Sequence, residues 1–131
     1  MDPFGLLMRP EGYGEKYLDL TLGDLSGGKG SLFLATNGSD MAGLVAAKVL
    51  GRAKDPGASP GIRGRITELY VEKRFRRMGA GIALMKAAEK YLKGRKCKYI
   101  LIEVFAPNTA AHDFYSKLGY GTCDVEMIKK L

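Results

Sequence analysis

One stretch decides the fold of this chain of 131 residues: Ile66-Thr67-Glu68-Leu69-Tyr70-Val71-Glu72-Lys73-Arg74-Phe75-Arg76-Arg77-Met78-Gly79-Ala80-Gly81. Residues 66–71 are rich in β-branched and aromatic side chains, which predicts a strand. A charged segment and two glycines follow it. From 81 to 93 the apolar residues recur at helical spacing. The sequence therefore predicts a strand, a glycine turn and a helix in immediate succession.

The segment after this helix predicts a second, parallel strand. Residues 99–105 (Tyr-Ile-Leu-Ile-Glu-Val-Phe) are almost continuously apolar, which is typical of a strand covered on both faces. A strand, a helix and a strand form a βαβ unit, whose two strands are parallel and whose crossover is right-handed. Such a unit is the predicted centre of the sheet.

Further elements are predicted on both sides of this unit. Two apolar runs, 32–35 and 44–50, flank Asn37-Gly38-Ser39-Asp40 and indicate an antiparallel hairpin. Downstream, Asn108 or Thr109 is expected to cap a helix over 110–118 that ends at Gly119. The alternation of residues in 120–131 predicts a final strand.

The predicted fold is therefore an α/β domain over residues 1–131, with a sheet of mixed direction and helices on both of its faces. Residues 52–64 carry three glycines and two prolines and are expected to form a surface loop. Residues 1–30 are rich in glycine and leave room only for a short strand at 4–9 and a short helix at 15–25. The N-terminal helical region is therefore expected to be short.

The composition excludes several classes of protein. With two cysteines and one histidine, the chain cannot form a Cys/His zinc site, and no metal is expected. No segment approaches the roughly 18 apolar residues that span a membrane. The first residues lack the layout of a secretory signal, so a cytoplasmic location is expected. The net charge of +7 favours an anionic partner, either nucleic acid or a phosphorylated cofactor.

The glycine turn has the chemistry of a pyrophosphate site. The first turn of a helix presents up to four unpaired N–H groups and the positive end of the helix dipole. Gly79 and Gly81 remove side chains that would hold phosphates away from the backbone, and Arg76 and Arg77 add positive charge. By itself this spacing also fits an ordinary helix start. It is neither a Gly-x-Gly-x-x-Gly fingerprint, since position 84 is Leu, nor a P-loop.

Two motifs together resemble a known family. Arg76-x-x-Gly79-x-Gly81 resembles the Arg/Gln-x-x-Gly-x-Gly/Ala motif of the GNAT superfamily of N-acyltransferases, and Glu68-Leu69-Tyr70-Val71 looks like that family's fourth strand. The later run from Asn108 to Tyr120 is similar to its Asn-x-x-Ala-x-x-(aromatic/Leu)-Tyr-x-x-x-Gly-(Phe/Tyr) signature. The resemblance covers about residues 30–131.

This resemblance implies that the chain is an enzyme with acetyl-CoA as donor. It would transfer acetyl directly to a primary amine of a small molecule or peptide, through a tetrahedral intermediate and without an acyl-enzyme. The implied cofactor-binding residues fall in three groups. They are Leu69, Tyr70 and Val71 for the pantetheine arm and acetyl carbonyl, Arg76, Arg77, Met78, Gly79, Ala80 and Gly81 for the pyrophosphate, and Asn108 with Tyr115 at the pantetheine or sulfur end.

The amine must lose a proton and the leaving thiolate must gain one. The resemblance implies that Tyr115 is the acid. Two glutamates are candidates for the base, and Glu103 ranks slightly above Glu68. Glu103 lies in the strand predicted to be buried, and for Glu68 strand alternation predicts a face shared with Ile66 and Tyr70. Packing of Tyr115 in the core, and ion pairs for the glutamates, are the alternatives. His112 is expected to be a surface residue rather than a base.

The chain departs from the family in its first 30 residues, which often line the acceptor pocket. Either the helical part of this region is reduced to one short helix, or the acceptor site is open. A partner chain could also complete the site, for which a homodimer is one arrangement. Two other functions stay open. A non-catalytic acyl-CoA-binding or sensing module would need no acid or base. A basic nucleic-acid-binding domain is disfavoured because the basic residues lie at turns around one helix.

Overall fold

The computed structural model describes residues 28–131. The strand and helix predicted at 4–9 and 15–25 lie outside these residues. The described elements are four strands, a short 3₁₀ helix and two α-helices. In chain order they are β1 (Gly30–Asn37), β2 (Asp40–Arg52), β3 (Ile62–Val71), the 3₁₀ helix Lys73–Phe75, α1 (Ala80–Gly94), β4 (Cys97–Ile102) and α2 (Thr109–Lys117). No helix within this part of the chain is long and apolar enough to cross a membrane.

The strands form one mixed sheet in the order β1-β2-β3-β4. The predicted hairpin is confirmed: β1 and β2 are antiparallel, and Asn37 pairs with Asp40 around a two-residue loop. Gly38 has a φ of 63°, as the first position of a tight hairpin loop of type II′ requires. β3 and β4 are parallel, so the βαβ unit is also confirmed. Strands β2 and β3 reach into the predicted surface loop and leave only 53–61 irregular.

The described chain divides into two compact units, 28–102 and 103–131. In the first unit α1 packs on one face of the sheet. Its buried residues Leu84, Met85, Ala88 and Leu92 form the core with Val45, Ala47 and Ile66 of the strands. Burial of such side chains stabilises a fold by about 1.5–3 kcal/mol each. The core thus fixes α1 and the turn before it against the sheet.

A β-bulge in β3 changes which side chains share a face. Ala46 pairs with Glu68 but Ala47 pairs with Ile66, so Thr67 is the extra residue. Ile66 therefore lies on the face covered by α1, together with the partners of Val45 and Gly43, which are Leu69 and Val71. The prediction that Ile66 shares a face with Glu68 and Tyr70 is wrong, because strict alternation does not continue through a bulge.

The second unit holds α2. Its N-terminal residue Asn108 caps it through a side-chain oxygen that accepts from the N–H of Ala111 at 3.1 Å, and Gly119 ends it with a φ of 97°. The predicted helix and its cap are confirmed. The final strand predicted over 120–131 is wrong: residues 121–131 form no regular element and are exposed. Apolar alternation alone does not make a strand without a paired neighbour.

Glycine is required where β2 approaches β3. A Cβ on Gly43 would lie 2.4 Å from the carbonyl oxygen of Tyr70 and 3.1 Å from a methyl carbon of Leu84. The first of these atoms belongs to the backbone and cannot move without moving the strand. The contact between strand and helix at this point therefore depends on the missing side chain.

We expect Gly43→Ala to lower the free energy of unfolding by about 1–3 kcal/mol, because the methyl group overpacks a rigid site. Urea unfolding followed by circular dichroism measures this loss. Gly94→Ala is the matched control. No heavy atom lies within 4 Å of its Cβ position, and alanine is favoured over glycine in a helix. Equal midpoints for the two variants would contradict the packing of β2 against β3 described above.

The two cysteines have different environments. Cys97 is half-buried at the start of β4, and its Sγ would lie 3.2 Å from a Cβ on Gly64. Burial raises the pKa of the Cys97 thiol, an effect partly opposed by the positive charge of Arg95. Cys123 is exposed. Cys97 should therefore hold less of the reactive thiolate than an ordinary cysteine at the same pH.

We expect Cys97 to react with a disulfide reagent about tenfold or more slowly than Cys123 at pH 8, because its raised pKa and its burial both limit attack. Ellman's reagent applied separately to Cys97→Ser and Cys123→Ser measures the two rates. Because the pKa of the Cys97 thiol is raised, its rate should still rise with pH above the range in which an ordinary cysteine ionises. A faster Cys97 would be inconsistent with the desolvation of its thiol.

Candidate functional site

The turn between β3 and α1 contains two residues with left-handed backbone. Arg77 has a φ of 64° and Gly79 a φ of 84°. Glycine adopts this conformation freely, whereas for arginine it costs about 1–2 kcal/mol. Gly79 is the residue before the first turn of α1, and nothing lies within 4 Å of the position of a Cβ on it. The backbone is therefore open to a ligand on that side.

The turn presents a row of backbone donors. Arg76 donates its N–H to Lys73 and Ala83 donates to Gly79, but among residues 28–131 no backbone carbonyl accepts from the N–H groups of residues 77–82. No side chain caps the helix either. Consecutive free N–H groups at the positive end of a helix dipole bind anions. The predicted residues Arg77, Met78, Gly79, Ala80 and Gly81 thus lie in one anion-binding turn.

β3 also presents free backbone groups just before this turn. Its pairing with β4 ends at Ile66 and Ile102, whereas its pairing with β2 continues to Val71. The N–H of Glu72 donates to Ala42 of β2 at 2.8 Å. Since successive residues of a strand point their backbone groups to opposite sides, Val71 and Leu69 point away from β2. No described strand pairs with them there.

Backbone geometry separates Tyr70 from its two neighbours. Tyr70 pairs with Leu44, and its backbone points toward β2, so it offers a ligand only its side chain. That side chain is 44% exposed on the face opposite α1. The resemblance grouped Tyr70 with Leu69 and Val71 as cofactor-binding residues. In the structure, the available backbone groups are those of Leu69 and Val71.

The side chain of Arg76 makes a contact that the sequence did not predict. Its Nε donates to the carbonyl oxygen of Val71 at 3.0 Å. This bond closes the turn back onto the end of β3 and occupies one of the two carbonyls expected to meet the pantetheine arm. The remaining guanidinium nitrogens of Arg76 keep their donors, so the residue still adds charge at the turn.

A second arginine ties the turn to the hairpin. Arg74 lies 3.4 Å from the carboxylate of Asp40 and 3.1 Å from that of Glu72, and its guanidinium stacks over Phe75, which is buried. The pairs are exposed, so each contributes about 0–1 kcal/mol. No motif marks this residue, because its partner Asp40 is distant in sequence.

The two candidate bases have different positions. Glu68 is half-buried in β3 on the face opposite α1, and within the described chain its carboxylate makes no hydrogen bond or ion pair. Glu103 follows β4, which ends at Ile102, and it is exposed. The prediction that Glu103 lies within a buried strand is therefore wrong. Burial therefore no longer supports a role for Glu103 as the base.

The remaining predicted residues belong to the second unit. Asn108 uses its side-chain oxygen to cap α2, which leaves its NH₂ group as the donor for a ligand. Tyr115 is half-buried, and its ring contacts those of Phe114 and Tyr120 at 5.3 and 6.0 Å between centroids. His112 is half-buried rather than on the surface, and its backbone N–H donates to the backbone carbonyl of Asn108.

Comparisons with known proteins agree with this geometry. The model of the acetyltransferase (GNAT) family matches residues 4–120. An uncharacterized N-acetyltransferase of Methanocaldococcus jannaschii is 41% identical over 58 residues, which are 44% of this chain and 37% of that protein. The chain therefore matches well under half the length of this curated relative.

Solved structures share the fold. A putative acetyltransferase from Pyrococcus furiosus has a TM-score of 0.77 and 27% identity, over 99% of this chain and 85% of that one. The aminoglycoside N-acetyltransferase AAC(6')-Iy in complex with CoA has a TM-score of 0.74 and 16% identity, over 89% and 87%. At 16% identity, the similarity to AAC(6')-Iy shows only that the fold is shared.

The family match spans most of the chain, including the glycine turn and the helix that follows it. Acetyl-CoA is the donor that the family uses. The chain belongs to the GNAT family of acetyltransferases.

Proposed function

We propose that this chain transfers an acetyl group from acetyl-CoA directly to a primary amine. The observation that carries the proposal is the row of free N–H groups at residues 77–82. It follows, after a short turn, the unpaired backbone groups of Leu69 and the unpaired N–H of Val71, whose carbonyl accepts from Arg76. The first set suits a pyrophosphate and the second suits the amides of a pantetheine arm. A cofactor with both parts in this order is a coenzyme A thioester.

The residues of the turn fit this cofactor on two counts. Gly79 leaves open space beside the donors, and Arg76 and Arg77 supply positive charge. Each interaction of an exposed anion with a helix dipole is worth only about 0.3–1 kcal/mol, so several donors must act together. Asn108 offers its NH₂ group as a further donor, since capping uses only its oxygen.

The bound thioester supplies an activated acetyl group. The amine nitrogen forms a bond to the acetyl carbon, the carbon–sulfur bond breaks, and its electron pair stays on sulfur. The nitrogen gives up a proton and the sulfur takes one, so that CoA leaves as a thiol. The proposed acid is Tyr115, whose hydroxyl can donate a proton to the leaving sulfur.

We infer that Glu68 is the better of the two candidate bases. An alkyl ammonium has a pKa of about 10.4, so forming the neutral amine at pH 7 costs about 4–5 kcal/mol. A half-buried carboxylate without a partner in the described chain favours a bound ammonium and can accept its proton, directly or through water. Glu103 stays a second candidate, since it follows β4 directly.

Two other functions make different predictions. A sensing module would bind acetyl-CoA without turnover, and a nucleic-acid-binding domain would show affinity that falls steeply with salt and does not depend on Gly81. Among acceptors, aminoglycosides are suggested by AAC(6')-Iy, an aminoglycoside N-acetyltransferase that shares the fold at 16% identity.

We expect Gly81→Asp to abolish binding of acetyl-CoA in isothermal titration calorimetry, because a carboxylate would face the pyrophosphate. Aspartate in the first turn favours the helix, so the loss would not reflect unfolding. Gly94→Asp makes the same change at the other end of α1 and should bind as the wild type does. Unchanged affinity in Gly81→Asp would remove the basis of the proposal.

We expect Tyr115→Phe and Glu68→Gln each to lower kcat by about 10²–10⁴-fold, the usual contribution of a general acid or base. Thiol release from acetyl-CoA with a panel of primary amines measures this loss, alongside Glu103→Gln. Tyr99→Phe, at an exposed position of β4, and Glu126→Gln are the controls and should keep near wild-type rates. A larger loss in Glu103→Gln than in Glu68→Gln would reverse the choice of base.

A further inference from the structure

The segment that leads from β3 into the free N–H groups of residues 77–82 is held to the start of β2. The backbone N–H of Glu72 donates to the carbonyl oxygen of Ala42 at 2.8 Å. Two residues later, the guanidinium of Arg74 lies 3.4 Å from the carboxylate of Asp40, the first residue of β2. The buried ring of Phe75 follows directly. Three successive contacts thus join this segment to the hairpin and to the core.

The hairpin fixes the backbone of Asp40. This residue pairs with Asn37 across the two-residue loop, and the pairing of β1 with β2 continues along the rest of β1. Because register and loop length together set the position of a hairpin residue, the Cα of Asp40 cannot shift by itself. An ion pair to Asp40 therefore restrains Arg74 and the backbone that carries it.

The guanidinium of Arg74 is held from three directions. Its Nε lies 3.1 Å from one carboxylate oxygen of Glu72 and donates to the other at 3.2 Å, while a terminal nitrogen faces Asp40. Its plane stacks over the ring of Phe75, with 4.6 Å between the central carbon and the ring centroid. A planar guanidinium with carboxylates at its edge and an aromatic ring at its face has a fixed orientation. The contacts of Arg74 thus serve the shape of the segment.

The charges of this cluster oppose the binding of an anion nearby. Arg74 contributes one positive charge, and Asp40 and Glu72 contribute two negative charges, so the three side chains carry a net charge of −1. Carboxylates near a bound pyrophosphate repel it. Any benefit of the cluster to binding must therefore come from the geometry of the chain that follows, where Arg77 has its left-handed backbone.

We propose that Arg74 and Asp40 are positioning residues for acetyl-CoA. Their ion pair holds the free N–H groups of residues 77–82 in the arrangement that binds the pyrophosphate, and neither side chain contacts the cofactor. This inference rests on the proposed function and adds the end of the hairpin to the cofactor site. It differs from a purely electrostatic effect in sign. Neutralising Asp40 would tighten binding if charge alone mattered, whereas it weakens binding if position matters.

The test measures Kd for acetyl-CoA by isothermal titration calorimetry at low salt. We expect Asp40→Asn to raise Kd about three- to fivefold, the upper range for an exposed ion pair. Asp40→Glu keeps the carboxylate and should stay within about twofold of the wild type. Glu126→Gln removes a negative charge from an exposed position outside this segment and should leave Kd unchanged. The effect of Asp40→Asn should shrink as salt screens the pair.

A double-mutant cycle tests whether the two residues act as a pair. Arg74→Gln should raise Kd for acetyl-CoA by a factor similar to that of Asp40→Asn. Asp40→Asn added to Arg74→Gln should cause no further rise, because the carboxylate has already lost its partner. Urea unfolding of the same variants is measured in parallel. A lower midpoint with an unchanged Kd would show that the pair stabilises only the hairpin, and would overturn the inference.

The outcomes separate this inference from the proposed function. A Kd that falls or stays the same in Asp40→Asn would overturn the inference and leave amine acetylation intact. Additive effects of Asp40→Asn and Arg74→Gln would also overturn it, since Arg74 would then act on the anion independently of Asp40. If the wild-type protein does not bind acetyl-CoA, the proposed function fails, and this inference fails with it.

Discussion

β3 is hydrogen-bonded to a neighbouring strand on both sides along its first half, and on one side only along its second half. Up to Ile66 it lies between β2 and β4, and beyond that point only β2 continues beside it. A sheet normally leaves no such gap, because an unpaired backbone group away from water is costly. The free backbone groups of Leu69 and the free N–H of Val71 follow from this early end of pairing, and the turn with free N–H groups at 77–82 comes a few residues later.

The bulge at Thr67 lies where the pairing with β4 stops. It turns Glu68 and Tyr70 to the face opposite α1, while Leu69 and Val71 keep their side chains toward α1. The side chains of Glu68 and Tyr70, which would meet an acceptor, thus point to one face of the sheet. The backbone groups of the alternate residues Leu69 and Val71, which would meet the donor, point away from β2. One irregular residue is sufficient to produce both arrangements.

The elements that the sequence predicts well are those with strong local signals. The hairpin around Gly38, the helix after Gly81 and the cap at Asn108 each depend on residues within a few positions of one another. The sequence carries no local signal for the bulge at Thr67. Strict alternation therefore predicted, wrongly, that Ile66 and Glu68 lie on one face. Likewise, the apolar residues around Glu103 led to the prediction of a strand through that position, whereas β4 ends at Ile102.

Sequence patterns also do not predict contacts between residues that are far apart in the chain. The bridge from Arg74 to Asp40 joins residues of separate elements, and it follows only from the register of the folded sheet. The bond from Arg76 to Val71 is closer in sequence, but it depends on how the turn folds. The motif identified Arg76 as a functional position without showing that it also shapes the turn.

The left-handed backbone of Arg77 and Gly79 has a consequence for affinity. Fixing the backbone of one residue costs about 1–2 kcal/mol in conformational entropy. In this turn the cost is met during folding, because the core beneath α1, the bond from Arg76 and the stacking of Arg74 on Phe75 hold the chain in place. The donors are thus preorganised, and the free energy of a bound phosphate need not be spent on ordering a loop.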